Sequence, residues 1–122
     1  VLHAPATRQL RIGYFGASTG AAAALMAAAE RPTVGAVVSR GGRPDLAYTA
    51  LSRVQAPTLL IVGGNDAPVI TMNQAALAQL HSKKQLVIIP GATHLFEEPG
   101  ALQQVAELAC QWFQRYLAPL DT

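Results

Sequence analysis

Residues 10–30 read LRIGYFGASTGAAAALMAAAE. Leu10–Ala17 is a short apolar run that closes on glycine, as a buried strand does. Gly20–Glu30 is rich in alanine, the best helix former, with Leu25 and Met26 set among the alanines, and Arg31–Pro32 stops it. A strand that passes into a helix through Gly16-Ala17-Ser18-Thr19-Gly20 is the first unit of an alternating pattern.

The rest of the chain repeats that alternation. Val34–Ser39 (VGAVVS) is strand-like and closes on Gly41–Gly42. Asp45 is placed to cap a short helix over Leu46–Arg53. Pro57–Gly64 (PTLLIVGG) is β-branched and apolar, bounded by Pro and Gly-Gly. Pro68 suits a first helical position, and Ile70, Asn73, Leu77 and Leu80 follow at helical spacing. Gln85–Pro90 (QLVIIP) is the fourth strand. Pro99 opens a last helix whose apolar stripe is Leu102, Val105, Ala109, Trp112, Phe113, Tyr116 and Leu117, read as core packing. Strands that are unbroken apolar runs belong in a parallel sheet covered on both faces. The expectation is an α/β fold, a parallel sheet of about four strands with helices on both faces, in one domain spanning residues 1–122.

Composition narrows the function. At 122 residues there is room for one core, and 51% hydrophobic residues mark a folded chain. Only 13% are charged, against roughly 25% in an average domain, so much of the surface is meant for burial. Nine basic and seven acidic residues are scattered and aromatics are 6%, which supplies neither a charge footprint nor a stacking platform for nucleic acid. The lone Cys110 excludes a disulfide framework and a cysteine zinc cluster, and is read as a buried, inert thiol. His3 and His81 lack partners at ligand spacing, so no metal site is read. The longest apolar run, Ala21–Ala29, is about half of a membrane span, so no membrane partner is expected. With no signal-like segment, a cytoplasmic location is expected.

In open α/β sheets ligands bind beyond the carboxyl ends of the strands. Ser18, Arg40, Asp66 and His94 each follow a predicted strand there. Gly16–Gly20 fits G-x-S-x-G, in which a strained strand-to-helix turn lifts the serine above the sheet edge. Side chains two residues either side would strike the neighbouring strand and helix, hence the glycines. The Thr19 N–H and the helix N-terminus then face a developing oxyanion. A serine hydroxyl needs a base, and the base an orienting acid; Asp66 and His94 follow in the order Ser, Asp, His. Each has a plainer reading. The glycines could serve a simple turn, Asp66 could cap the helix at Pro68, and His94 could be a loop residue beside Phe96. Arg40 and Arg43 could hold an anionic substrate group, or be solvated, Arg40 paired with a carboxylate. Lys83 and Lys84 are read as a solvated turn where positive charge suits a helix C-terminus.

GYFGASTGAAAAL, APTLLIVGGND and PGATHLFEEPG together resemble the C-terminal half of an α/β-hydrolase, in the dienelactone hydrolase-like group. The resemblance implies Ser18 as nucleophile, Asp66 as acid, His94 as base and Thr19 as an oxyanion-hole donor, with no cofactor. Dienelactone hydrolases proper carry cysteine as nucleophile, so Ser18 points away from lactones and toward general serine esterase chemistry. Such a fold has about eight strands, with the elbow after the fifth and a second oxyanion donor on the loop after the third. Only Val1–Gln9 precedes the elbow strand here. The resemblance therefore implies a truncated chain with half an oxyanion hole, and losing one donor costs about 10²–10³ in rate.

Three readings follow. The first is a serine hydrolase of a small ester, lactone or thioester acting through an acyl-enzyme. The second is a non-catalytic or weakly active hydrolase fragment. The third is a nucleotide-binding module, but G-x-G-x-x-G from Gly16 needs glycine where Ser18 and Ala21 stand. At the Leu10–Ala17 edge, pairing is expected with a second copy or with a missing N-terminal segment.

Overall fold

The computed structural model describes residues 12–117. Expectations for Val1–Gln9, Leu10 and Arg11 lie outside the described residues. The elements are β1 (Ile12–Ala17), α1 (Thr19–Glu30), β2 (Val34–Arg40), a 3-10 turn (Pro44–Ala47), α2 (Tyr48–Leu51), β3 (Thr58–Gly63), α3 (Ala67–Gln79), β4 (Lys84–Ile89) and α4 (Ala101–Tyr116). The four strands pair in parallel in chain order, β1-β2-β3-β4. This is the expected α/β architecture.

Sequence dictates which strands lie inside. Every residue of β3 is buried, as is all of β2 before Arg40, and these are the two central strands. Val37 and Leu60 pack under α1, α2 and α3 with Ala22, Leu25, Leu51, Ala76 and Leu80. Ala36, Val38, Leu59 and Ile61 pack on the other face under α4 with Val105, Ala109 and Trp112. Burial on two faces is why these strands are continuous apolar runs. The edge strands are half open, with Ile12, Phe15 and Ile88 exposed.

Several local expectations are corrected. Asp45 does not cap a Leu46–Arg53 helix: it lies inside the 3-10 turn, and its carboxylate takes the Arg43 guanidinium instead. The last helix starts at Ala101 rather than Pro99, after Gly100 in the left-handed region at φ 82°. Its buried stripe runs Ala101, Val105, Ala109 and Trp112, which rotates Leu102 out to solvent at 51% exposure. Cys110 lies off that stripe and is exposed, not buried. Trp112 donates its indole N–H to Pro57 O at 3.1 Å and meets the Tyr116 ring at a tilt of 56°, as core aromatics do. Lys84 opens β4, and its ammonium donates to Leu77 O and Leu80 O at the C-terminus of α3. Among the described residues no helix is long and apolar enough to cross a membrane.

Candidate active site

Register decides what meets at the sheet edge. Ala17 lies opposite Arg40, Arg40 opposite Ile61, and Gly63 opposite Ile89. The strands therefore end almost in a row, and the loops that follow them share one rim.

Ser18 alone joins β1 to α1, at φ 54° and ψ −124°. A non-glycine residue with positive φ is strained, so its neighbours must hold it. Its N–H donates to Arg40 O at 3.1 Å, and its carbonyl accepts from the N–H groups of Arg43 and Ala21, each at 3.1 Å. The turn is tight because Gly16 lacks a side chain: a Cβ there would lie 2.5 Å from Gly20 O and 2.6 Å from Ala21 Cα. Gly20 is different. A Cβ on Gly20 would meet no described atom within 4 Å, so the expected collision at this second glycine is corrected.

Ser18 and Asp66 both occupy helix N-cap positions, on α1 and α3, and neither side chain caps its helix. Serine and aspartate are strong N-caps, so both side chains have been diverted. Both go to His94. Ser18 Oγ lies 3.2 Å from His94 Nε2, and Asp66 Oδ2 lies 3.0 Å from His94 Nδ1. A carboxylate only accepts, so Nδ1 carries the proton and donates to Asp66. Nε2 is then left as the acceptor for the Ser18 hydroxyl. The Asp66 side chain is 15% exposed and the His94 side chain 38%, so the acid is shielded and the imidazole is reachable. The plain helix-cap reading of Asp66 is thereby set aside.

The supports come from two loops. Gly41, at φ 55°, flanks the imidazole, since a Cβ there would lie 3.4 Å from His94 Nδ1 and Cε1. Its N–H donates to Ile61 O at 2.7 Å. The next carbonyl, Gly42 O, accepts from the fully buried Asn73 Nδ2 at 3.2 Å, and the same amide group reaches Val69 O at 2.8 Å. In sequence Asn73 shares the helical spacing of Ile70, Leu77 and Leu80, and the structure shows that this core-facing amide serves the loop. On the other side, Asn65 donates its backbone N–H to Ala92 O at 3.0 Å and its amide N–H to Gly91 O at 3.2 Å. This ties the loop bearing Asp66 to the loop bearing His94.

The two arginines separate. Arg43 is engaged by Asp45 through Nε and Nη2 at 3.0 and 2.9 Å, which holds the Arg43 pKa above and the Asp45 pKa below their ordinary values. The carboxylate pairing expected of Arg40 thus falls to Arg43. Arg40 lies with Cζ 5.6 Å from the Phe96 ring centroid and lines a hollow with Phe15, Leu102, Val105 and Ala106. Among the described residues neither guanidinium hydrogen-bonds to Ser18, Asp66 or His94. Thr19, the first residue of α1, has no intrahelical partner for its N–H. No group of three or more His, Cys, Asp or Glu side chains that could hold a metal ion occurs among the described residues.

Comparison with known proteins shows the family and the fold. A model of the dienelactone hydrolase family matches residues 1–122. The crystal structure of a dienelactone hydrolase from Anabaena variabilis superposes with a TM-score of 0.88 at 70% identity, over 94% of this chain and 54% of that one. An esterase domain from a Rhodothermus marinus protein superposes at 0.78 with 20% identity, over 87% of this chain and 62% of its own, and shows the fold alone. A Mycobacterium tuberculosis protein, provisionally named a phosphoribosyl transferase, is 64% identical over 114 residues, which is 93% of this chain and 26% of that protein. The chain thus spans about a quarter of that relative and about half of the Anabaena chain.

Proposed function

The chain belongs to the dienelactone hydrolase family, and from that premise we propose that it is a serine hydrolase of a small ester, lactone or thioester. The observation that carries the reading is the unbroken relay from Ser18 Oγ through the His94 ring to Asp66 Oδ2, at 3.2 and 3.0 Å. Ser18 attacks the substrate carbonyl while His94 Nε2 takes its proton. Asp66 holds the tautomer and stabilises the imidazolium that forms. His94 then returns the proton to the leaving group, and water releases the acyl-enzyme by the same relay. The Thr19 N–H supports the oxyanion from the start of α1, where the helix dipole adds to it. Arg43 is already paired, so only Arg40 is kept as a contact for an acidic substrate group. A cytoplasmic location belongs to the same reading.

The transferase name attached to the mycobacterial relative describes a protein of which three quarters lies outside the match. Nothing in the Ser18–His94–Asp66 arrangement calls for a phosphoribosyl donor.

A fluorophosphonate probe tests the proposal. Covalent labelling should occur on Ser18 and disappear in Ser18→Ala, together with hydrolysis of p-nitrophenyl acetate. Labelling or hydrolysis that survives Ser18→Ala would remove Ser18 from the mechanism.

A further inference from the structure

His94 is carried on a loop, not on a helix or strand, so something must fix that loop. Residues 93–98 form a closed ring of hydrogen bonds. The Glu98 carboxylate reaches back five residues and accepts twice from Thr93: Oε1 from the backbone N–H at 3.1 Å, and Oε2 from the hydroxyl at 2.7 Å. Inside the ring, the Phe96 N–H donates to Thr93 O at 3.1 Å. Glu98 is itself anchored, since its carbonyl accepts from Ala101 N–H at 3.0 Å where α4 begins.

The ring holds a conformation that would not persist alone. Phe96 has φ 57°, in the left-handed region that a bulky residue rarely adopts. Its side chain is 1% exposed and packs in the α4-side core. Burial of Phe96 pins the loop from below, and the Glu98–Thr93 clamp closes it from above. His94 lies between the two, immediately after the clamped residue. A carboxylate accepting an N–H and an O–H makes charge-assisted bonds, stronger than neutral ones. Consistently, the Thr93 hydroxyl and N–H hold the Glu98 pKa below its ordinary value.

We propose that Glu98 is a positioning residue for His94, closing the 93–98 loop so that the imidazole stays aligned with both Ser18 and Asp66. It touches none of the reacting atoms and acts through the Thr93 main chain. The kinetic side of this proposal rests on the serine-hydrolase reading; its spectroscopic side does not.

The test uses Glu98→Ala, Glu98→Gln and Thr93→Val with two readouts. The first is the ¹⁵N chemical shifts of the His94 ring, which report how firmly Nδ1 keeps its proton against Asp66. The second is the rate of fluorophosphonate labelling at Ser18. In the unaltered protein the shifts should show the Nδ1–H form. Glu98→Ala, which removes both acceptors, should move them toward the averaged, solvent-exposed pattern. It should also slow labelling by about 10- to 100-fold, since a misplacement of about 1 Å at a reacting group costs about 10². Glu98→Gln keeps one acceptor oxygen and should fall between. Thr93→Val loses only the hydroxyl bond and should also be intermediate, and these two milder variants decide the matter if Glu98→Ala does not fold. Unchanged ring shifts in the folded variants would overturn the proposal, whatever the labelling does. Absent labelling in the unaltered protein, with ring shifts that still respond to Glu98, would instead defeat the hydrolase reading and leave the positioning role standing.

Discussion

The two glycines of the elbow pentapeptide should respond oppositely to the same substitution. In Gly16→Ala the new methyl carbon would start 2.6 Å from Ala21 Cα and 2.5 Å from Gly20 O. Carbon atoms come to rest at about 3.5 Å, so roughly 1 Å must be opened against main chain that has no flexible end to swing aside. The atoms that must yield are the first turn of α1, and Ser18 is the single residue that joins this turn to β1. The 3.2 Å separation of Ser18 Oγ and His94 Nε2 cannot survive a displacement of that size. Overpacking of this kind costs about 1–3 kcal/mol of stability. A misplacement of about 1 Å at the nucleophile costs about 10²-fold in rate. In Gly20→Ala the methyl enters open space on a helical residue, so labelling should be unchanged, and stability should rise by up to about 1 kcal/mol from helix propensity. Thermal unfolding and the fluorophosphonate labelling rate, measured on both variants, compare them directly. A Gly16→Ala protein that melts and labels like the unaltered one would refute the steric account of the elbow. A loss in Gly20→Ala matching that in Gly16→Ala would show that both glycines are confined.

Three further outcomes are expected. Asp66→Asn should keep the fold, because the carboxylate does not cap α3, but should slow Ser18 labelling by about 10⁴-fold by freeing the wrong imidazole tautomer; a loss under tenfold would reject Asp66 as the orienting acid. Asp45→Asn should lower stability only slightly at neutral pH, because both side chains of its pair with Arg43 keep contact with solvent. The pair depresses the Asp45 pKa, so its contribution is present above the unfolded aspartate value and lost as pH falls through the folded one; melting curves of the two proteins should converge in acid. At the β1 edge, where Ile12 and Phe15 are exposed, we propose pairing with a second copy or a further polypeptide segment. Sedimentation of this 122-residue chain should then show self-association at micromolar concentration, and a clean monomer with freely exchanging β1 amides would exclude it.

The alternation of strands and helices was legible because burial writes itself into sequence: VGAVVS and PTLLIVGG are unbroken apolar runs because β2 and β3 are covered twice. Ser18, Asp66 and His94 were legible because each follows a strand end, and parallel pairing sends all such ends to one rim. What escaped was set by geometry that no spacing encodes. Asp45 has the composition of a cap, yet Arg43 lies two residues away in a loop that brings the guanidinium to it. Cys110 is near the apolar stripe of α4 in sequence, and a shift in where that stripe begins puts it outside. Asn73, Thr93 and Glu98 bond to main-chain or hydroxyl groups brought near by turns, and a sequence pattern names no such acceptor.

Ser18, Asp66 and His94 all fall within a separation of 76 residues and are positioned by one sheet and its own crossovers. The arrangement of these three side chains is therefore heritable as a block. Its three side chains come from that stretch, and the supports named above, Gly16, Phe96 and Glu98, lie within a few residues of it, so duplication or fusion can carry it into a different polypeptide with its hydrogen bonds intact. A segment packed over the rim can diverge separately, because changing a wall does not change how Ser18, Asp66 and His94 meet. The matched stretch covers about half of one relative and about a quarter of another. On the proposed function, selection on substrate choice and selection on bond-breaking chemistry act on separable stretches of chain.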